Sequence, residues 1–236
     1  LISHSFPPVS TPASYRVLEF ARHLPELGWC VHVLCPRAVT TQRRDPALVS
    51  QVPPFVHVHH FPAWDLSRWQ MGYRGRAAAD VTPRPAHDSH SLRRVILAPR
   101  EFLKLAMRRV LFPDVFVTWM PAIVASGLLL HRQHGFDLVF ATGDPWSVVM
   151  AGAQLAKRIR RPFVADFREL WSGHSHRRDQ ESVARHRQVE QRVLAQTALV
   201  VANSPMESQI LASTCTAQHR PQFIDVENGF NPAAVE

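Results

Sequence analysis

The sequence predicts an α/β protein, with a Rossmann-like parallel sheet and helices on both faces. Two observations carry that prediction. Short apolar runs of strand length alternate with longer stretches of helical period, the βαβ pattern that builds a parallel sheet through right-handed crossovers. Three helices also open on a capping residue plus proline directly after a strand, at Thr11-Pro12, Asp144-Pro145 and Ser204-Pro205. That is the chemistry of a βα junction.

Taken in order, residues 1–4 read as the end of a first strand. A loop over residues 5–12 leads into a helix carrying Tyr15, Leu18, Phe20, Ala21 and Leu24, which ends near Gly28. Residues 29–35 form the next strand, residues 37–54 a proline-bounded loop with a short helix, and residues 55–61 a third strand. A long irregular excursion follows over residues 63–90, and then a basic amphipathic helix over 91–112. That helix fits a core-packed helix with a solvated face, or one lying on a membrane surface. From Pro121 the alternation becomes regular: helix 122–134, strand 136–142, helix 146–159, strand 162–165, helix 181–196, strand 198–202, helix 204–212 and strand 222–226.

Composition bounds the function. The 236 residues are 46% hydrophobic and 19% charged, enough for one ample core or two small ones. The longest apolar runs, such as residues 123–130, fall well short of the ~20 residues of a membrane span. Cys30, Cys35 and Cys215 lack CxxC spacing, so no disulfide framework or cysteine zinc site follows and a reducing cytoplasm is the expected setting. A net charge of +8 and a pI near 10.6 favour anionic partners: phosphorylated substrates, acidic headgroups or nucleic acid. Nucleic acid ranks last, because no RNA-binding aromatic signature, zinc finger or helix-turn-helix pattern is present. The first residue is Leu1, inside a strand already under way, so the chain is expected to be a fragment cut at both ends.

The chemistry concentrates in residues 161–173. Its strand is expected to stop on Asp166, with Arg168, Glu169 and Trp171 immediately after it. In an open α/β sheet, ligands bind beyond the carboxyl ends of the strands, so this places charge and an aromatic where a reaction would occur. A loop ion pair with a packed tryptophan fits the same pattern. The three capped helix starts would aim backbone N–H groups into the same crevice, suiting a phosphate or a sugar carboxylate, although such junctions also occur for stability alone. His57 and His59 share one face of a strand as metal ligands would, but no third ligand stands at a recognisable spacing. GxGxxG, GxxxxGK[ST], GxSxG and HExxH motifs are absent, which weakens dinucleotide, P-loop, hydrolase and metalloprotease readings.

Several segments, in order, resemble the N-terminal half of bacterial glycosyltransferases of family 4. They are Phe6-Pro7-Pro8, Tyr15-Arg16-Val17, Leu24-Pro25-Glu26-Leu27-Gly28-Trp29 and Phe112-Pro113-Asp114 with Trp119. Further on come Ala141-Thr142-Gly143-Asp144-Pro145-Trp146-Ser147, Val164-Ala165-Asp166-Phe167-Arg168-Glu169-Leu170-Trp171 and Asn228-Gly229-Phe230-Asn231. The resemblance implies a GT-B fold. Residues 1–227 would be its acceptor-side domain, with 62–118 as the excursion, and 228–236 would begin the crossover to a donor-binding domain. It implies transfer of a sugar from a nucleotide-sugar to an acceptor hydroxyl, with retention and without a metal or other cofactor. The expected setting is cell-envelope or exopolysaccharide synthesis in the cytoplasm, with a glycan or lipid-linked acceptor and peripheral contact with an anionic membrane. Asp166 and Arg168 are the expected catalytic pair. Ser10, Thr11, Pro12, Ala13, Asp144, Trp146, Ser147, Trp171, Asn228 and Gly229 are the expected substrate-binding positions. Two departures stand out: the first loop, Val9-Ser10-Thr11-Pro12-Ala13, lacks the family's glycines, and Thr142-Gly143-Asp144 stands where many relatives carry histidine. The competing readings are a non-enzymatic α/β binding or scaffold domain that uses its basic surface at a membrane or polyanion, and another GT-B enzyme such as a sugar-nucleotide epimerase.

Overall fold

The computed structural model describes residues 1–37, 43–63, 111–173 and 180–229. Every strand pairing within them is parallel. The strands are β1 (His32–Pro36), β2 (His57–Phe61), β3 (Val139–Gly143), β4 (Phe163–Phe167), β5 (Leu199–Ala202) and β6 (Gln222–Asp225). β1 pairs with β2, and β3 to β6 pair in sequence order. The N-terminal segment joins the two groups, because Ile2 bridges both Leu34 and Ala141 in parallel. Spatially the sheet therefore runs β2, β1, N-terminal segment, β3, β4, β5, β6. This is doubly wound, with the order reversing between the N-terminal segment and β3.

The helices are α1 (Pro12–His23), α2 (Ala47–Ser50), α3 (Met120–His134), α4 (Trp146–Ile159), α5 (Gln180–Leu194) and α6 (Pro205–Thr214), with 3-10 turns at Leu24–Leu27 and Val115–Trp119. They cover both faces. On one side α3, α4 and α5 pack Ile123, Val148, Leu155 and Leu194 onto Ala141, Phe163, Ala165 and Val200. On the other, α1 lays Val17, Leu18 and Ala21 against Val33 and Cys35, and Phe20 against Phe140. β3 and β4 are buried at every position, which is why they read as apolar runs without alternation.

Element identities follow the expectation, and the differences have physical reasons. β4 does not end on Asp166 but runs through Phe167, so Asp166 sits inside the sheet. β1 and β2 begin later than their apolar runs, because Val31 and Val56 are buried without belonging to the strands. Thr11 and Ser204 cap α1 and α6 by accepting from Ser14 and Glu207 amides. Asp144 caps nothing: the N-cap of α4 is Pro145, which has no side-chain cap of its own. The 20-residue stretch Val115–His134 contains an 18-residue window of mean hydropathy 1.4, long and apolar enough by length and composition to cross a membrane. Here its inner face, Met120, Ile123, Val124 and Gly127, is buried. Nearly all of the excursion and of the basic helix, the loop over 174–179, Phe230 and Asn231 lie outside the described residues.

Gly152 sets how closely α4 can approach the sheet. A Cβ there would lie 2.6 Å from the Ala141 Cβ and 2.8 Å from the Phe163 ring. In a helix interior, Gly to Ala ordinarily gains about 1 kcal/mol. At this position overpacking should outweigh that gain. Gly152→Ala is expected to destabilise the fold by about 1–3 kcal/mol, read as a lower midpoint in chemical denaturation.

Candidate functional site

The site begins with a buried carboxylate. Thr142 and Asp166 are register partners on β3 and β4, and by the period of two they share the face of Phe140 and Val164 that α1 covers. Thr142 Oγ1 donates to Asp166 Oδ2 at 2.6 Å. From α1, Arg16 Nε donates to both carboxylate oxygens at 3.2 and 3.1 Å, and Nη2 to Oδ1 at 2.7 Å. Arg16 Nη1 then reaches the Val226 carbonyl at 2.8 Å and Asn228 Oδ1 at 3.1 Å. Asp166 is wholly buried and Arg16 nearly so. Fork-to-fork geometry with the remaining donors used is what makes such a pair tolerable out of water. Asp166 and Arg168, expected as a pair, do not pair with each other. In this geometry Asp166 is a positioning group that ties α1, β3, β4 and the segment after β6 together.

Arg168, two residues on, leaves the sheet at its carboxyl edge. Its Nε donates to the Gly143 carbonyl at 2.8 Å, and Nη2 contacts the Asp144 carbonyl and, at 3.4 Å, Asp144 Oδ1. Burial lowers the guanidinium's pKa, against the opposing fields of Asp144, Asp166 and Glu169. Arg168 therefore clamps the Gly143-Asp144 turn at the crevice lip, with the Asp144 side chain 58% exposed.

His4, which the expected site omits, stands beside this clamp. It follows the N-terminal segment at the point where the strand order reverses, where ligands bind in such sheets. Its ring sits 5.2 Å from Phe116 and stacks on Trp119 at 6.3 Å. Nδ1 is buried with no hydrogen-bond partner. Burial, then Arg168, push its pKa down to about 4, with Asp144 opposing. The result is a neutral imidazole with an unused polar atom. The other buried side-chain atoms without a partner among the described residues are Ser147 Oγ, Asn203 Oδ1 and Glu207 Oε2. All follow strands at the same edge. Glu207 is raised in pKa by burial and by Glu169, the latter opposed by Arg16.

The remaining expected residues divide. Ser147 is fully buried rather than cleft-lining, and its amide donates to Asp114 Oδ2 at 3.0 Å. Asp114 thus caps α4 from outside while also accepting from the Phe116 amide. Burial raises its pKa, and these hydrogen bonds oppose the rise. Trp146 and Trp171 are both buried and stack on each other at 4.9 Å and 3°, so neither ring is offered to a sugar. Trp171 Nε1 is bound to His186 Nδ1 at 2.9 Å. Thr11 spends its hydroxyl on Ser14 and Ser5, Ala13 is buried, and Ser10 and Pro12 face outward. Asn228 is held by Arg16, and Gly229 is exposed. His4 lies in no local motif, and the Tyr15-Arg16-Val17 segment that contains Arg16 does not show its partner 150 residues away. His4 could have been found by asking which polar side chain comes first after each strand.

Among the described residues, groups able to hold a metal occur at the opposite, amino edge of the sheet.

The fold is similar to that of sucrose-phosphate synthase (tll1590) from Thermosynechococcus elongatus, with a TM-score of 0.57 and 14% identity over 98% of this chain and 48% of that one. It is also similar to Phytolacca americana apo UGT2 (TM-score 0.52, 11% identity, 99% of this chain and 52% of that). The same enzyme complexed with UDP-2fluoro-glucose and pterostilbene gives 0.51 and 12%, over 99% and 55%. The chain spans about half the length of these structures. They are GT-B glycosyltransferases, and at these identities what is shared is the α/β glycosyltransferase-like fold. No protein-family model and no curated protein matches the sequence.

Two outcomes follow for the site. Asp166→Ala leaves Arg16 buried without its partner, so it should cost about 3–5 kcal/mol in denaturation, and Arg16→Met combined with Asp166→Leu should recover much of that loss. His4 has a folded pKa below its ordinary 6.5, so the unfolded chain binds the extra proton first. Its contribution to stability is therefore complete above pH 6.5 and declines as pH falls toward about 4. His4→Gln should flatten that part of the stability profile when denaturation midpoints are followed across the window.

Proposed function

We propose that this chain is the acceptor-side half of a glycosyltransferase that moves a sugar from a nucleotide-sugar to an acceptor hydroxyl. The observation that carries the reading is the crevice where strand order reverses. It holds the unpartnered His4 Nδ1, and beside it the Gly143-Asp144 turn clamped by Arg168. His4 Nδ1 is covered in this arrangement, so it would take a hydrogen bond from an acceptor hydroxyl, and hold it in line for attack, once the acceptor displaces the groups that cover it. The Arg168 clamp positions Asp144 at the lip to receive polar groups of the substrate. Positioning of this kind, with fixed dipoles facing the developing charge, accounts for much of the rate in group transfer.

The finer assignments belong to the same proposal. Membership of family 4, retention at the sugar carbon and a role in envelope or exopolysaccharide synthesis rest on the ordered motif resemblance. The structural likeness includes an enzyme complexed with UDP-2fluoro-glucose and pterostilbene, which favours a nucleotide-sugar and a separate acceptor as the two partners. A cytoplasmic site with peripheral membrane contact rests on the cysteine pattern and the +8 charge. Asp166 enters as a positioning residue and Arg168 as the clamp.

The test uses the full-length enzyme with a panel of nucleotide-sugars, scoring donor consumption and glycosylated product. His4→Ala and Arg168→Ala are each expected to lower kcat by about 10²–10⁴, with far-UV CD and the denaturation midpoint near those of the parent. Full activity in His4→Ala would remove the crevice from the reaction. Absence of transfer with every donor, in a protein that folds, would favour the binding-domain reading.

A further inference from the structure

At the amino edge of the sheet, opposite the crevice, histidines from three elements converge. His32 opens β1, His59 lies in β2 and His134 ends α3, and one ligand atom from each falls within 4.8 Å of the others. His32 Nδ1 and His59 Nε2 are 2.9 Å apart. The His134 ring centroid lies 4.4 Å from that of His32 and 5.8 Å from that of His59. The sequence shows only His57 and His59 on one strand. The parallel register sets His32 opposite His57, and the end of α3 delivers the third ring.

We infer that His32, His59 and His134 form a three-imidazole site for a borderline transition-metal ion of the zinc class, with a solvent-open fourth position. Four-coordinate zinc holds nitrogens at about 2.0–2.1 Å, hence roughly 3.3 Å from one another. The present separations reach that with small side-chain rotations. The donor set contains no carboxylate, which disfavours magnesium and calcium and suits zinc, nickel or copper. In the metal-free protein one hydrogen lies between His32 Nδ1 and His59 Nε2. Moving it to the other nitrogen of its own ring leaves both lone pairs facing the metal. His32 Nε2 then carries N–H toward Cys30 Sγ, 3.7 Å away, an outer-shell contact of the kind that fixes a ligand's tautomer. The ion would join β1, β2 and the end of α3 at the edge away from the crevice. This inference does not depend on the proposed function.

The full chain, stripped of metal by chelator and exchanged into chelator-free buffer, is titrated with Zn²⁺ and with Co²⁺. The expected result is one saturable Zn²⁺ per chain, a rise in Tm with Zn²⁺, and the visible absorption of four-coordinate Co²⁺. His59→Gln and His134→Gln should each weaken binding by more than the ~10-fold that loss of an outer-shell partner costs, and should abolish the Tm rise. Cys30→Ser should retain a bound ion, and so should His23→Gln, a histidine outside the cluster. No saturable binding, or binding unchanged in His59→Gln and His134→Gln, would overturn the assignment. Binding lost in Cys30→Ser and His57→Gln but kept in His134→Gln would also overturn it, placing the ion on the Cys30, His32 and His57 group instead.

Discussion

Arg16 and Asp166 hold the carboxyl edge of this sheet in one arrangement. The pair is 150 residues apart in sequence and out of water, where an unmatched charge is far more costly than a matched one. The carboxylate also accepts from Thr142, and the guanidinium also donates to Val226 and Asn228. A chain that misplaced α1, slipped the β3–β4 register or turned away after β6 would bury an unsatisfied ion. The pair therefore acts as a specificity device for the edge as much as a source of stability.

From that fixed point the crevice assembles outward. Asp166 points to α1, and two residues later Arg168 points along the edge to the Gly143-Asp144 turn. Five residues on from Asp166, Trp171 packs on Trp146 and binds His186 of α5. Ser172 donates to Glu190 at 2.5 Å. One short segment thus anchors to α1, α4 and α5 in succession. Asp114 performs the matching task on the other side, capping α4 with one oxygen and its own 3-10 turn with the other. Against this, four buried side-chain atoms at the same edge, His4 Nδ1, Ser147 Oγ, Asn203 Oδ1 and Glu207 Oε2, are left without a partner among the described residues.

Periodicity made the fold legible. Buried parallel strands have to be apolar on both faces and their helices on one, so β3, β4, β5 and α4 could be placed from pattern alone, and α4 runs over residues 146–159 as expected. Strand ends were less legible, because the apolar runs extend past the assigned strands: Val31 and Val56 are buried just outside β1 and β2, and the Val31 carbonyl still accepts from the His57 amide at 3.0 Å. The site was legible only as a neighbourhood. Which residues of the segment after Asp166 turn inward depends on partners no local pattern can reveal. Arg16 decides the fate of Asp166, and Trp146 that of Trp171. Ser147, expected at the substrate, is buried instead, and Asp114, which accepts from its amide, lies 33 positions earlier.

The two edges of the sheet are related by what they join. The strand order reverses between the N-terminal segment and β3, so an open crevice at that point tends to separate the β1–β2 side from the β3–β6 side. The Arg16–Asp166 pair spans that divide at the carboxyl edge, since α1 follows the N-terminal segment and Asp166 belongs to β4. The histidine cluster spans it at the amino edge, since His32 and His59 belong to the first side while α3, carrying His134, leads into β3 and packs on α4 through Gly127 and Leu155. The carboxyl-edge tie is made by protein alone. The amino-edge tie would be completed by the inferred ion, because among the described residues the only hydrogen bond joining the three imidazoles is the one between His32 and His59. Metal occupancy would then tune how firmly the two sides are held without adding a charge to the crevice itself.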